Sequence, residues 1–196
     1  VPDLLQTAEY ARSVCAALRH RHRTAEEVDE AARRCLRRQE ILYDRARRFR
    51  FLLSEAALRH RTAPPEVMAG QLDRLLAVTG LPNVEFGVIP FSARYPWVPL
   101  HGFRIYDESA VGVPTVTRWL TLTAAEDVAA YADVFDGLHG AAVFREQARA
   151  VLVRALDAVV GGPAEERPHG PADPRGGPAP GGTGRPPRPE PPHPAR

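Results

Sequence analysis

The chain has 196 residues, 44% of them apolar and 26% charged, with a formal net charge of +2; these are the proportions of a soluble globular protein of one domain, or one domain with an appendage. No run approaches the ~20 apolar residues of a membrane-spanning helix, and no charged-then-apolar signal segment opens the chain. Two cysteines, Cys15 and Cys35, are too few for a disulfide scaffold and lack metal-ligand spacing, so the expected compartment is a reducing cytoplasm.

After VPDLLQ, Thr7 is placed to cap a helix through about Arg19, with Tyr10, Val14 and Leu18 on one face. HRHR at 20–23 breaks that pattern. Thr24 and Glu27 have the spacing of a capping box, in which each side chain satisfies a free N–H at the helix start. A long helix to roughly Arg45 follows, striped by Val28, Ala31, Ala32, Cys35, Leu36 and Leu42. RFRFLLSE at 48–55 reads as a strand or as the buried start of a short helix. TAPPE at 62–66 opens another helix, with Pro65 near its first position and Met68, Leu72, Leu75 and Leu76 repeating at helical period. Gly80 suits a left-handed cap beyond it.

The period then changes. Val84, Phe86 and Val88 alternate as in a half-buried strand that Pro90 ends. Residues 92–102 form a loop rich in proline and aromatics. GFRIYD at 102–107 and TVTRWLTL at 115–122 are two more strand candidates. Thr123 and Glu126 have capping-box spacing before a helix lined by Val128, Tyr131, Ala132, Phe135 and Leu138. A last helix carries Phe144, Ala148, Val151, Leu152, Ala155 and Val159, and Gly161 terminates it. Twenty of the 36 residues from Gly161 to Arg196 are Pro or Gly, too little apolar surface to offset ordering entropy, so a disordered tail is expected at 161–196. The folded unit is 1–160. Its expected class is α+β, with helices flanking a small, mainly antiparallel sheet of three or four strands.

The chain carries no GxSxG, phosphate-loop, HExxH or GxGxxG pattern, so no enzymatic role and no cofactor is expected. His20 and His22 lack a carboxylate or cysteine at metal-ligand spacing. Charge is more informative. Every basic side chain is Arg, a habit of GC-rich coding sequences that suggests an actinobacterial-type genome. Residues 9–61 hold 14 Arg against 8 acids, whereas residues 62–160 hold 7 Arg against 11 acids. A basic half suits an acidic partner or nucleic acid. The competing reading is a solvated helix face, because Asp29–Arg33, Glu30–Arg34 and Asp44–Arg48 stand at the i,i+4 spacing of helix ion pairs. On the 92–102 loop, Tyr95 and Trp97 are candidate anchors for a partner.

VPDLLQTAEYAR at 1–12, RRQEIL at 37–42, LSEAALR at 53–59, QLDRLL at 71–76 and VIPF at 88–91 occur in this order. Over residues 1–158 the chain resembles an actinobacterial domain of unknown function found behind Xre-type helix-turn-helix domains, in regulators described as WhiJ-like or antitoxin-like. It departs from that pattern at Asp3, where glycine is usual, and at TRWL 117–120, where the strand usually ends in glutamate. It also departs at Phe144 and Ala148, which stand near usual serines. The chain begins with Val at the point where the helix-turn-helix would end, so it reads as a piece lacking its DNA-reading element.

The resemblance implies the effector or partner-binding half of a transcriptional regulator. Its expected partner is a small acidic protein encoded nearby, a homodimer is a second candidate assembly, and DNA is contacted only through the absent helix-turn-helix. Direct non-specific nucleic-acid binding through residues 9–61 is the alternative. Candidate contact residues are Arg33, Arg34, Arg37 and Arg38 from the basic stretch, and Gln39, Glu55 and Gln71 from the matching motifs. Arg38 and Glu55, if buried together, would form a charge-assisted pair.

Overall fold

The computed structural model describes residues 1–17, 24–96, 98 and 100–162. The HRHR segment, Trp97 and the tail from 163 onward lie outside the described residues. In chain order the elements are α1 (Ala8–Ala17), α2 (Ala25–Arg38), a 3-10 turn (Gln39–Tyr43), β1 (Phe49–Ser54), α3 (Glu55–Arg59), α4 (Pro65–Val78) and β2 (Val84–Ile89). Then come β3 (Arg104–Tyr106), β4 (Ala110–Pro114), β5 (Trp119–Leu122), α5 (Ala125–Gly140), β6 (Val143–Phe144) and α6 (Arg145–Val160). The class is α+β.

The strands form two sheets of three, ordered β1-β2-β6 and β3-β4-β5. β1 runs parallel to β2, from Phe49↔Val84 to Ser54↔Ile89, because α3 and α4 return the chain between them. The other pairings are antiparallel. β2 is therefore a central strand, and Phe86 through Ile89 are all buried rather than alternating. At Gly87 an added Cβ would stand 2.6 Å from the Phe144 ring and 2.8 Å from Leu52, so only glycine fits between those neighbours.

Several local signals act as the spacing predicts. Thr24 and Glu27 close both halves of the capping box. Pro65 opens α4, and Gly161 caps α6. RFRFLLSE is both things at once, a strand through Ser54 whose hydroxyl then caps α3 by accepting from Ala57 N–H.

Other expectations give way to tertiary contacts. α2 stops at Arg38 instead of Arg45, and the chain tightens into a 3-10 turn that buries Leu42. The Asn83 side-chain amide donates to the carbonyls of Leu42, Asp44 and Arg47, holding the chain after α2 in a non-helical path. Gly80 is not left-handed; α4 ends through Thr79 in right-handed geometry, with Gly80 N–H donating to Ala77 O. Thr123 and Glu126 form no capping box, since the cap position is Ala124. Phe144 lies on β6, one step before the last helix. β4 has no periodic signal because Gly112 and Pro114 interrupt AVGVP. Both fit: the Trp119 ring occupies the space a Cβ on Gly112 would need, and Pro114 faces Trp119 at a pair that makes no ladder hydrogen bond.

The larger core joins Leu5, Leu42, Leu53, Leu58, Leu72, Leu75, Val88, Val151 and Leu152, with α4 and α6 packed together over β2. Each such side chain contributes about 1.5–3 kcal/mol by leaving water. A smaller cluster of Val111, Val113 and Val128, with Phe103, Ile105, Leu122 and Tyr131, packs the second sheet on α5.

Candidate partner-binding surface

The arginine face of α2 is built around one carboxylate. Glu30 accepts from Arg33 Nε at 3.0 Å and from Arg37 at 3.1 Å, and Arg34 Nε lies 3.7 Å away. All three arginines are exposed. The Arg33 and Arg37 guanidiniums hold the Glu30 carboxyl below the usual carboxylate range. Of the pairs expected from spacing, only Glu30–Arg34 forms. Asp29 instead bonds Arg12 on α1 at 3.0 Å, and Asp44 bonds Arg47 rather than Arg48. α2 packs on α1, which places Arg12 within reach of Asp29. Beyond the helix end, Ile41 and Tyr43 are exposed, and Tyr43 Oη accepts from Arg74. Both the guanidinium cluster of α2 and the apolar and aromatic groups of the following turn are thus exposed.

Arg38 turns away from that cluster. It lies 3.4 Å from Asp3, and Arg104 on β3 grips the same carboxylate with two nitrogens, at 2.9 and 3.1 Å. The Arg104 guanidinium also lies 4.9 Å over the Trp119 ring. Asp3 and the TRWL segment, two places where the sequence departs from the pattern it resembles, thus meet on one arginine. Arg38 and Glu55 form no pair. Glu55 is buried at the start of α3, where it accepts from Arg59 at 2.8 and 2.9 Å and from Phe91 N–H at 3.1 Å. Burial alone pushes its carboxyl up, but the Phe91 N–H and Arg59 outweigh that and leave it below its ordinary value.

Gln39 and Gln71 are clamps rather than contact residues. Gln39 donates to the carbonyls of Asp3 and Gln6. Gln71, 1% exposed, donates to Leu5 O and accepts from Thr7 N–H, both at 2.8 Å. Together they hold the first seven residues against α2 and α4, and the 3-10 turn Asp3–Leu5 then buries Leu5. The glutamines of RRQEIL and QLDRLL thus satisfy backbone groups of the N-terminal segment, among them Gln6 O, Leu5 O and Thr7 N–H.

On the 92–102 loop Tyr95 is half-buried, and burial raises its hydroxyl pKa. Trp97 lies outside the described residues. Phe103 folds back edge-on against Tyr131 at 4.9 Å, and Tyr131 shares a hydrogen bond with His101, so this end of the loop covers α5. Cys35 and Cys15 are both free. Burial first, then the Asp3 carboxylate and Cys15, push the Cys35 thiol up.

Neither the place of Glu30 at the centre of the arginine face nor the grip of Arg104 on Asp3 is legible in the sequence. A lone arginine on a short strand carries no sequence signal for a partner 101 residues away. Fold and surface together define an α+β domain whose N-terminal segment is clamped by side chains and whose α2 displays a guanidinium cluster. A family described as "Domain of unknown function (DUF5753)" matches residues 1–154, and the chain belongs to it. No curated protein and no solved structure matches the chain. No helix among the described residues is long and apolar enough to cross a membrane.

Proposed function

We propose that this chain is the effector or partner-binding domain of a helix-turn-helix transcriptional regulator of the antitoxin-like, Xre-associated kind. In this reading it is cytoplasmic, actinobacterial in type and not an enzyme, and it acts by binding a small acidic protein. The observation that carries the reading is the convergence of Arg33, Arg34 and Arg37 on Glu30. Three guanidiniums share one carboxylate, so a partner's carboxylates can take the remaining donors in the paired geometry arginine favours. Ile41 and Tyr43, exposed in the turn that follows α2, supply the apolar and aromatic contact that charged pairs lack. Gln39 and Gln71, buried against the N-terminal segment, serve the fold beside this surface, and Glu55 does the same at the start of α3.

The test is affinity capture from lysate by the tagged full chain, with nuclease, compared with the double variant Arg33→Glu, Arg37→Glu. The expected result is a small acidic protein retained by the first and lost by the second. Recovery of nucleic acid alone, lost on nuclease treatment or added salt, would replace this reading with non-specific nucleic-acid binding through residues 9–61.

A further inference from the structure

β5 is the outer strand of its sheet. Thr115 N–H donates to Arg118 O at 2.9 Å and closes a hairpin whose register continues Pro114↔Trp119, Val113↔Leu120, Gly112↔Thr121 and Val111↔Leu122. Antiparallel ladders alternate hydrogen-bonded and non-hydrogen-bonded pairs. Arg118, Leu120 and Leu122 therefore turn their backbone polar groups toward β4, and Trp119 and Thr121 turn theirs outward. Natural sheets protect such an edge with lysine, proline, a bulge or a covering element. Trp119–Leu122 contains neither lysine nor proline and pairs with β4 without a bulge. The strand is also apolar on both faces. Leu120, on the α5 side, is 43% exposed, Trp119 on the other side is 42% exposed, and Val116 at the hairpin tip is 75% exposed.

We propose that a second copy of this chain pairs antiparallel along β5, joining two three-stranded sheets into one of six strands. The two-fold axis passes through Leu120. Trp119 of each copy then exchanges backbone hydrogen bonds with Thr121 of the other, and the two Leu120 side chains meet on the α5 side. Charge favours a second copy as the occupant. Arg118 is the sole charged residue from Thr115 to Thr123, and Glu126 and Asp127 stand in the first turn of α5. Antiparallel pairing carries Arg118 of each copy toward that acidic turn of the other. Parallel pairing would set the two Arg118 side by side. A contact in which each copy offers the same strand closes on itself and stops at two. Strand pairing alone is smaller than the ~800 Å² per partner of a standard interface, so the dimer is concentration-dependent.

Sedimentation of the full chain over a wide concentration range tests this, beside Thr121→Pro. That substitution removes one outward N–H and leaves the β4 ladder intact. The expected result is a wild-type dimer whose dissociation constant rises about tenfold in Thr121→Pro, which loses two symmetry-related hydrogen bonds. If thermal melting shows Thr121→Pro misfolded, Thr121→Lys takes its place as a charged edge residue. Arg118→Glu is expected to weaken the dimer, and adding Glu126→Arg to restore it. A chain that stays monomeric at every concentration overturns the proposal. So does a dimer that neither edge variant weakens, or one whose charge swap restores nothing.

Discussion

The β1-β2-β6 sheet and the β3-β4-β5 sheet are secured by different physics. The first is enclosed by α4 and α6, and its central strand is buried from Phe86 to Ile89. The second packs one face on α5 through three buried valines. It is joined to the rest of the molecule by polar contacts. Arg104 reaches Asp3, while Arg50 on β1 reaches Asp136 on α5 at 3.6 Å and stacks on Phe135 at 4.8 Å. His139 on α5 completes this seam, 3.2 Å from Glu85 and with its ring 4.5 Å from that of Phe144. Apolar burial is insensitive to salt, whereas partly exposed ion pairs are screened by it. The second sheet is therefore the part of this fold that conditions can loosen while the first stays intact.

The largest expected effect breaks the first region. Leu152→Ala, in the α4–α6 core, is expected to destabilise the whole domain by about 2–5 kcal/mol, read from the denaturation midpoint. Val111→Ala should cost less. Its loss should appear as faster amide exchange in β3, β4 and β5 with little change in β2; uniform acceleration across both sheets would show that the two regions unfold as one.

Gln71→Leu comes next. It leaves Thr7 N–H and Leu5 O without partners in a buried setting, an expected loss of about 1–3 kcal/mol. Limited proteolysis should then cut the chain near residues 5–7, and an uncut N-terminal segment would show that Gln39 alone suffices as a clamp.

Asp3→Asn sharpens the comparison, because it cuts the Arg104 and Arg38 ties and leaves both apolar clusters untouched. A loss of about 1 kcal/mol at low salt is expected, shrinking as salt is added. The same change removes a negative charge that raises the Cys35 pKa. Cys35 should then react a few times faster with a thiol reagent near neutral pH, roughly as its thiolate fraction grows.

Acid provides a smaller, graded test. Glu55 has a depressed pKa in the folded chain, so it stabilises the fold above the unfolded pKa and loses that contribution as pH falls through the folded one. Stability should fall as pH drops below the ordinary glutamate range, and Glu55→Gln should flatten that part of the curve. Glu30→Gln closes the series. At an exposed site it should leave stability nearly unchanged. It should instead tighten capture of an acidic protein by freeing the donors of Arg33 and Arg37, and unchanged capture would remove those arginines from the interface.

Local sequence rules identified most elements, because each carried its own signal. Thr24 and Glu27 fixed where α2 starts, Pro65 opened α4, and the 3.6-residue spacing of Ala148, Val151, Leu152 and Ala155 marked α6. Charge patterning also located the arginine face, since α2 presents its arginines to solvent wherever the rest of the chain packs. The signals that failed were those a distant residue could override. The side chain of Asn83 holds the chain after α2 out of helix, Trp119 explains the glycine in β4, and the return through α3 and α4 makes β1 and β2 parallel.

By itself, then, the sequence determined the α+β class, the helix starts, the apolar faces and the basic character of the first third, because these follow from the nearest few residues. Only the tertiary structure decided that Arg38 and Arg104 meet Asp3, that the motif glutamines clamp backbone, and that the strands divide into two sheets with β5 at an edge unpaired among the described residues. The most telling of those outcomes depend on contacts between residues far apart in the chain, such as Gln71 with Leu5 and Arg104 with Asp3. Such contacts form only once the chain has closed on itself.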